Sequence, residues 1–254
     1  MLKLTKYELI KSKMTLIIVA LIFALLEGYF LYTIIVQDDY HSGMAASFLT
    51  MFALCCFFIV YIMAIVNYSN ELSSKSSYLI FMTPNSTLSI ILSKMLSILA
   101  IGIGVVATFT IFAILDIHLV FETYTETEDI LDFFKHFLES MEIDTALLLP
   151  TIIGYILEFI INFFSIVTMI YLAITLSSTV LQNKRGKGIV SFVLVIVFAI
   201  LMAKIENYLP KLYEYPDNAA EAVLNIVPTA IFEFIIMVAC IFTTAKLLEK
   251  KVSL

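Results

Sequence analysis

We single out three carboxylates within long apolar runs of the sequence, Glu27, Glu158 and Glu233. An ionisable side chain inside a bilayer costs several kcal/mol unless it faces a polar interior, so each is a candidate for lining a translocation path. Asn162 and Ser165 follow Glu158 at helical spacing and extend a polar stripe along one face. Such a path favours cationic or amphipathic cargo. Structural hydrogen bonds between helices, made by protonated or paired carboxyls, explain the same residues equally well.

Sequence motifs for nucleotide binding and for hydrolysis are absent. The chain has no G-x-x-x-x-G-K-[ST] loop, no H-E-x-x-H pair and no G-x-S-x-G turn. Its three cysteines, Cys55, Cys56 and Cys240, have neither a disulfide nor a metal-ligand spacing. We therefore predict no catalytic residue, no metal site and no cofactor on this chain. If ATP drives the protein, ATP and Mg²⁺ must bind a separate subunit.

The composition predicts a membrane protein. Hydrophobic residues make up 61% of the chain and the mean hydropathy is +1.02, against roughly 45–50% apolar residues in soluble domains. Apolar runs longer than about 18 residues indicate membrane-spanning helices. The sequence thus predicts an all-α polytopic fold, one transmembrane domain over residues 1–254. Its six spans are expected at about 14–36, 45–67, 88–121, 147–181, 189–205 and 226–245.

The basic residues predict the orientation of the six spans. Twelve of the 15 Lys and Arg residues fall in the N-terminal segment, the stretch 68–94, the turn 184–188 and the C-terminal tail. With six spans these four segments lie on the same side, and basic residues favour the cytoplasm. Both termini and the loop 68–87 are therefore predicted to be cytoplasmic.

The segment 122–144 is predicted to form an amphipathic helix between spans 3 and 4, on the extracellular side. Thr125 and Glu128 have the spacing of a capping box at its start. Phe134 and Phe137 share its apolar face, and charged residues occupy the other face. Such a helix can lie in the outer membrane interface or pack on the ends of the spans.

The cytoplasmic loop 68–87 has the features of a docking segment. It is rich in hydroxyl groups and holds an apolar island, Tyr78–Met82, which is closed by Thr83 and Pro84. Five apolar residues are far too few to cross a bilayer, which takes roughly 20. Pro84 keeps the island short because proline cannot continue a helix. The island can plug a groove on another protein, or it can be an ordinary interfacial turn.

This loop also resembles the first cytoplasmic loop of ABC-2 type transporter membrane subunits. The likeness is carried by the order of Glu71, Lys75, Leu79, Thr83-Pro84, Ser86 and Lys94. The chain departs from the family at Thr87 and Leu88, where a basic residue is usual. The resemblance implies that the loop folds into a coupling helix docked on a cytoplasmic ABC ATPase. The implied coupling residues are Glu71, Lys75, Tyr78, Leu79, Phe81, Met82, Thr83 and Pro84.

The resemblance further implies a dimer with a second copy or a related permease, plus two ATPase subunits. We expect the membrane subunit of an exporter in the bacterial cell membrane that moves amphipathic peptides, toxins or drugs, without a nucleic-acid partner. A narrower likeness is to exporters of amphipathic peptide toxins from Gram-positive bacteria. Two alternatives use no ATP: an ion-coupled carrier working through Glu158 and Glu233, and a bacteriocin-immunity protein.

Overall fold

The computed structural model describes residues 2–73, 86–124, 145–180, 186–213 and 219–252. These ranges form six α-helices and no strand: α1 Leu2–Ile35, α2 Asp39–Ser73, α3 Thr87–Tyr124, α4 Thr145–Val180, α5 Lys187–Glu206 and α6 Ala219–Val252. Each of the six is long and apolar enough to cross a membrane. The prediction of an all-α, multi-pass membrane protein with six spans is confirmed.

The turn between α1 and α2 is shorter than the sequence predicted, because α2 begins at Asp39 and not near Ala45. Gln37 has a positive φ of 56°. The backbone N–H of Gln37 donates to the carbonyl of Ile34, and that of Asp38 donates to the carbonyl of Thr33. This pattern is a Schellman motif that ends α1. Asp38 then caps α2, since its Oδ1 accepts the backbone N–H of His41 at 3.1 Å. Hydropathy does not detect such polar caps.

The side chains of the same two residues, Asp38 and His41, also contact each other at the surface of this turn. Nδ1 of His41 lies 2.8 Å from Oδ2 of Asp38. The hydrogen bonds from the backbone N–H and the ring of His41 hold the pKa of Asp38 below its usual value. This pKa shift reports a local capping interaction outside the apolar part of the helices.

Two prolines lie deeper in their helices than predicted. Pro150 and Pro228 were expected in the first turns of their spans, but they lie inside α4 and α6. The short helix predicted at 219–224 is the start of α6, which continues through Pro228 without a break. Proline removes one backbone donor, yet long apolar helices tolerate it where neighbouring groups satisfy the freed carbonyl. The prediction that residues 219–224 form a helix separate from the last span was wrong.

The chain divides into two compact units. Unit 1 consists of Met1–Ala64 and Leu92–Phe137, and it holds α1 with most of α2 and α3. Near the α1–α2 turn, Phe30 and Ile34 pack with Ala45 and Val120. Further along α1, the Phe23 ring contacts the rings of two phenylalanines of α3 edge to face, at 4.9 and 5.0 Å between centroids. These contacts pair the end of α1 with the start of α2 and the end of α3.

Unit 2 consists of Ile65–Ile91 and Leu138–Leu254 and is organised around α4. Of the apolar centre of α4, 61% is buried, against at most 22% for any other helix. This helix packs against α5 and α6. A side chain at Gly154 would place its Cβ 2.6 Å from Val223 Cγ1, so the absence of a side chain allows α4 and α6 to approach.

Several predicted features lie outside the described residues. They are the amphipathic helix beyond Tyr124, where α3 ends, and the apolar island Tyr78–Met82 with the residues on either side of it. The cytoplasmic placement of both termini and the single-domain organisation stay predictions.

Candidate functional site

A carboxyl cluster lies between α4 and α6 in unit 2. Glu233 is only 2% exposed, and its Oε1 accepts a hydrogen bond of 2.6 Å from Nδ2 of Asn162. Glu158, one turn before Asn162 on α4, is close enough to Glu233 for a Coulombic interaction. The Oε2 atom of Glu233 has no hydrogen-bond partner within the described ranges. The structure thus brings together three of the five residues predicted to line a path.

A cavity of about 320 Å³ adjoins this cluster, and Glu158 lies in its wall. Most of the other wall residues are aliphatic, including Leu157, Ile161 and Val227. Ser165, the fourth predicted residue, is buried further along α4 and does not line this cavity. The predicted polar stripe therefore divides into a part beside the cavity and a part inside the packed core.

The buried polar stripe of α4 beyond Asn162 is structural. Thr168, Thr175, Ser177 and Ser178 are all buried, and each hydroxyl donates to a carbonyl of the same helix three or four residues earlier. Such bonds satisfy hydroxyl groups inside an apolar helix. A hydrogen bond between the hydroxyls of Ser177 and Ser191 joins α4 to the start of α5.

A second carboxyl cluster lies in unit 1, where the fifth predicted residue, Glu27, meets Asp116 of α3. Glu27 is 6% exposed, and its carboxyl lies within hydrogen-bonding range of the carboxyl of Asp116. A hydrogen bond between two carboxyl groups requires a proton on one of them. In the part of the chain that the structure describes, Glu27 Oε2 and Asp116 Oδ1 lack a hydrogen-bond partner.

Both carboxyls line a cavity of about 400 Å³ formed by residues of α1, α2 and α3. Five phenylalanines contribute to the same wall: Phe23, Phe30, Phe109, Phe112 and Phe121. The cavity therefore combines two acidic groups with several aromatic rings, whereas the cavity beside Glu158 is largely aliphatic.

Sequence reasoning missed Asp116 as a functional candidate. The residue falls inside the predicted span 88–121, so the rule that selected Glu27 also selects it. Its pairing with Glu27 depends on the packing of α1 against α3 and has no local signal in the sequence.

The helix ends that flank residues 74–85 are both attached inside unit 2. Tyr68 of α2 stacks on Tyr171 of α4, with 4.0 Å between ring centroids and 20° between planes. Its hydroxyl also hydrogen-bonds to that of Thr175. On the other side, Oγ1 of Thr87 donates to Oε1 of Glu249 on α6 at 2.8 Å. Both flanks of the predicted coupling loop are thus fixed to long helices.

Of the eight predicted coupling residues, the structure describes only Glu71, which is buried near the end of α2. Lys75, Tyr78, Leu79, Phe81, Met82, Thr83 and Pro84 lie outside the described residues. Their role in docking an ATPase stays a prediction.

A buried ion pair lies near the start of α1 and α3 in unit 1. Nζ of Lys94 is 2.6 Å from Oε1 of Glu8, and Lys94 is 3% exposed. The sequence placed Lys94 at the edge of the cytoplasmic loop, but it lies two turns inside α3, facing α1. The pair joins the two helices at the end opposite the α1–α2 turn.

The searched part of the chain holds no group of three His, Cys, Asp or Glu residues that could bind a metal ion. Comparisons with protein-family models, curated proteins and solved structures found no match to this chain.

Proposed function

We propose that this chain is the membrane-spanning subunit of an ATP-driven exporter of the ABC-2 type. A separate cytoplasmic subunit binds ATP and Mg²⁺ and hydrolyses the ATP. Three observations support this proposal: the six membrane-length helices, the absence of a nucleotide-binding motif from the sequence, and the resemblance of residues 71–94 to the family's coupling loop.

The observation that carries the proposal is the attachment of both flanks of the coupling loop. A push on residues 74–85 reaches α4 through the stacked pair Tyr68 and Tyr171. It reaches α6 through the bond from Thr87 to Glu249. These are the two helices that carry the Glu158, Asn162 and Glu233 cluster. Tyr171 is nine residues beyond Asn162, about 14 Å along the helix axis at 1.5 Å per residue.

In the proposed assembly, two such subunits, identical or related, form the pathway in the cell membrane of a bacterium. Both termini and the coupling loop lie in the cytoplasm with the ATPase subunits. The cargo is an amphipathic peptide, toxin or drug, since the path candidates are acidic and the helices are otherwise apolar.

Co-purification tests the proposal. The tagged chain is expressed together with an ABC ATPase from the same organism and isolated in mild detergent. We expect the wild-type chain to retain the ATPase and Phe81→Asp to lose it, because a charge in an apolar docking segment is left without a partner. Tyr208→Asp is the matched control, since Tyr208 lies beyond α5 and is 89% exposed. An ATPase retained by Phe81→Asp, or never bound by the wild type, contradicts the proposal.

An ion-coupled carrier that uses no ATP is the second candidate. It is favoured by the two buried carboxyl clusters, Glu158 with Glu233 and Glu27 with Asp116, since intramembrane carboxyls are typical of proton relays. Uptake into vesicles driven by a proton gradient, without ATP or a second protein, distinguishes the carrier from the exporter.

A further inference from the structure

We infer that the cavity between α1, α2 and α3 binds the ammonium group of a hydrophobic amine through Glu27 and Asp116. The inference deepens the proposed function by naming a cargo chemistry, and it rests on that function only for the role of the amine as cargo. Binding itself needs neither ATP nor the ATPase.

The first argument is the shortage of hydrogen-bond donors in the cavity. Glu27 and Asp116 are the two carboxyls of the cavity wall, and a proton shared between them would leave one negative charge on the pair. Within the described residues, each carboxyl has one buried oxygen without a donor. Thr50 adds no free donor, because its hydroxyl already bonds to the carbonyl of Ala46. A primary ammonium group brings three N–H donors and a positive charge, so it satisfies both oxygens and neutralises the pair.

The second argument is the aromatic wall. Cations bind favourably over the faces of phenyl rings, and the benefit grows when water is excluded. The Phe23 ring meets the rings of Phe109 and Phe112 edge to face, at 4.9 and 5.0 Å between centroids, and all three line the cavity with Glu27. A metal ion fits less well, since two carboxyls supply too few oxygen ligands for a hard cation. The volume of about 400 Å³ is within the usual range for small-molecule sites.

The test measures binding of the fluorescent amine dansylcadaverine to the purified full chain in detergent. Its N-acetyl derivative has the same apolar body without the charge and therefore reports non-specific partition. We expect the amine to bind about 30-fold more tightly than the acetamide, as for a buried charge-assisted contact. Equal binding of the two probes overturns the inference.

The variants give a pattern that a purely structural pair does not. Glu27→Gln keeps the hydrogen bond to Asp116 and leaves one carboxylate, so we expect only about threefold weaker amine binding. Glu27→Gln with Asp116→Asn removes the charge and should abolish the preference for the amine over the acetamide. Glu122→Gln, an exposed acid on the same helix α3, is the matched control and should bind as the wild type. A folded double variant that still prefers the amine overturns the inference.

Phe112→Leu keeps the test decisive if the double variant does not fold. It preserves an apolar wall but removes a ring, so we expect the affinity for the amine to fall about threefold with the acetamide unchanged. No change, or an equal change for both probes, counts against the site.

Competition with a lysine-containing amphipathic peptide and its fully acetylated form distinguishes a peptide amine from a free amphiphilic amine as the natural ligand. Displacement by the free peptide alone assigns the site to a peptide amine, and no displacement by either peptide assigns it to a free amphiphilic amine. Equal displacement by both peptides contradicts recognition of an ammonium group. If the chain binds the amine but retains no ATPase, the proposed function is rejected and the site is not. If the chain retains the ATPase but does not bind the amine, only the site is rejected.

Discussion

Each of the two carboxyl clusters contains one buried glutamate, Glu233 or Glu27, and the clusters differ in the group that lies beside that glutamate. Glu233 receives a short hydrogen bond from the amide of Asn162 and lies next to a largely aliphatic cavity. Among the described residues, the neighbour of the Glu27 carboxyl is another carboxyl, that of Asp116, and phenyl rings line its cavity. The first cluster contains an amide donor, whereas the second consists of two carboxyl groups. Both clusters therefore contain a buried acidic residue. The amide of Asn162 makes the Glu233 cluster a contact between helices, whereas the lack of such a donor beside Glu27 favours binding of a cation.

The largest expected loss of stability comes from breaking the buried ion pair of unit 1, in which Lys94 donates to Glu8. Lys94→Met removes the ammonium group 2.6 Å from the buried carboxyl of Glu8, and we expect about 3 kcal/mol of lost stability. Stability is measured by unfolding of the purified protein in detergent. The exposed Lys204→Met should change little, and adding Glu8→Gln to Lys94→Met should recover much of the loss. If Lys94→Met is as stable as the wild type, a buried carboxyl does not depend on a donor from the protein, and the comparison of the two clusters fails.

The difference between the two clusters is tested by removing the amide donor from one of them and adding amide donors to the other. Asn162→Leu leaves the buried Glu233 without its donor, and we expect a loss of about 1–2 kcal/mol. Glu27→Gln with Asp116→Asn adds donors to the other cluster, and this change should be neutral or stabilising in the absence of an amine. The same unfolding assay measures both. Equal destabilisation by the two changes means that the clusters do not differ in the way described.

Glycine substitutions compare the packing of the two units. Gly154→Ala places a methyl group against Val223, and we expect a loss of about 1 kcal/mol. Gly104→Ala is the matched control on α3, because no atom lies within 4 Å of its new Cβ, and helix propensity then favours alanine. Val223→Ala should rescue Gly154→Ala. Identical melting of the two alanine variants argues against close approach of α4 and α6.

The α1–α2 turn gives the smallest effect, and it depends on pH. The pKa of Asp38 is lowered in the folded protein by its bonds from His41. Its contribution to stability is therefore present above the unfolded pKa of about 3.9 and is lost as the pH falls through the lower folded value. Carboxyl NMR of the labelled protein should show Asp38 titrating below that unfolded value, and His41→Ala should return it toward normal. A normal pKa in the wild type contradicts the capping geometry.

Much of the fold could be predicted from the sequence, because an apolar run of membrane length has few alternatives to a helix. Helix ends were predicted poorly, since they depend on local bonds such as the cap from Asp38 to His41. The spacing of Glu158 and Asn162 correctly predicted one polar face of α4. The partners across helices, Glu233 for Asn162 and Asp116 for Glu27, depend on packing between distant segments and leave no local signal in the sequence.

Transport by reconstituted vesicles tests the central claim most directly. Inside-out vesicles receive this chain with the ABC ATPase that co-purifies with it, and uptake of an amphipathic cationic peptide is measured. We expect uptake only when both proteins and ATP are present, and none with an ATPase that binds but does not hydrolyse ATP. Uptake by this chain alone, driven by a proton gradient without ATP, contradicts the claim and favours the ion-coupled carrier.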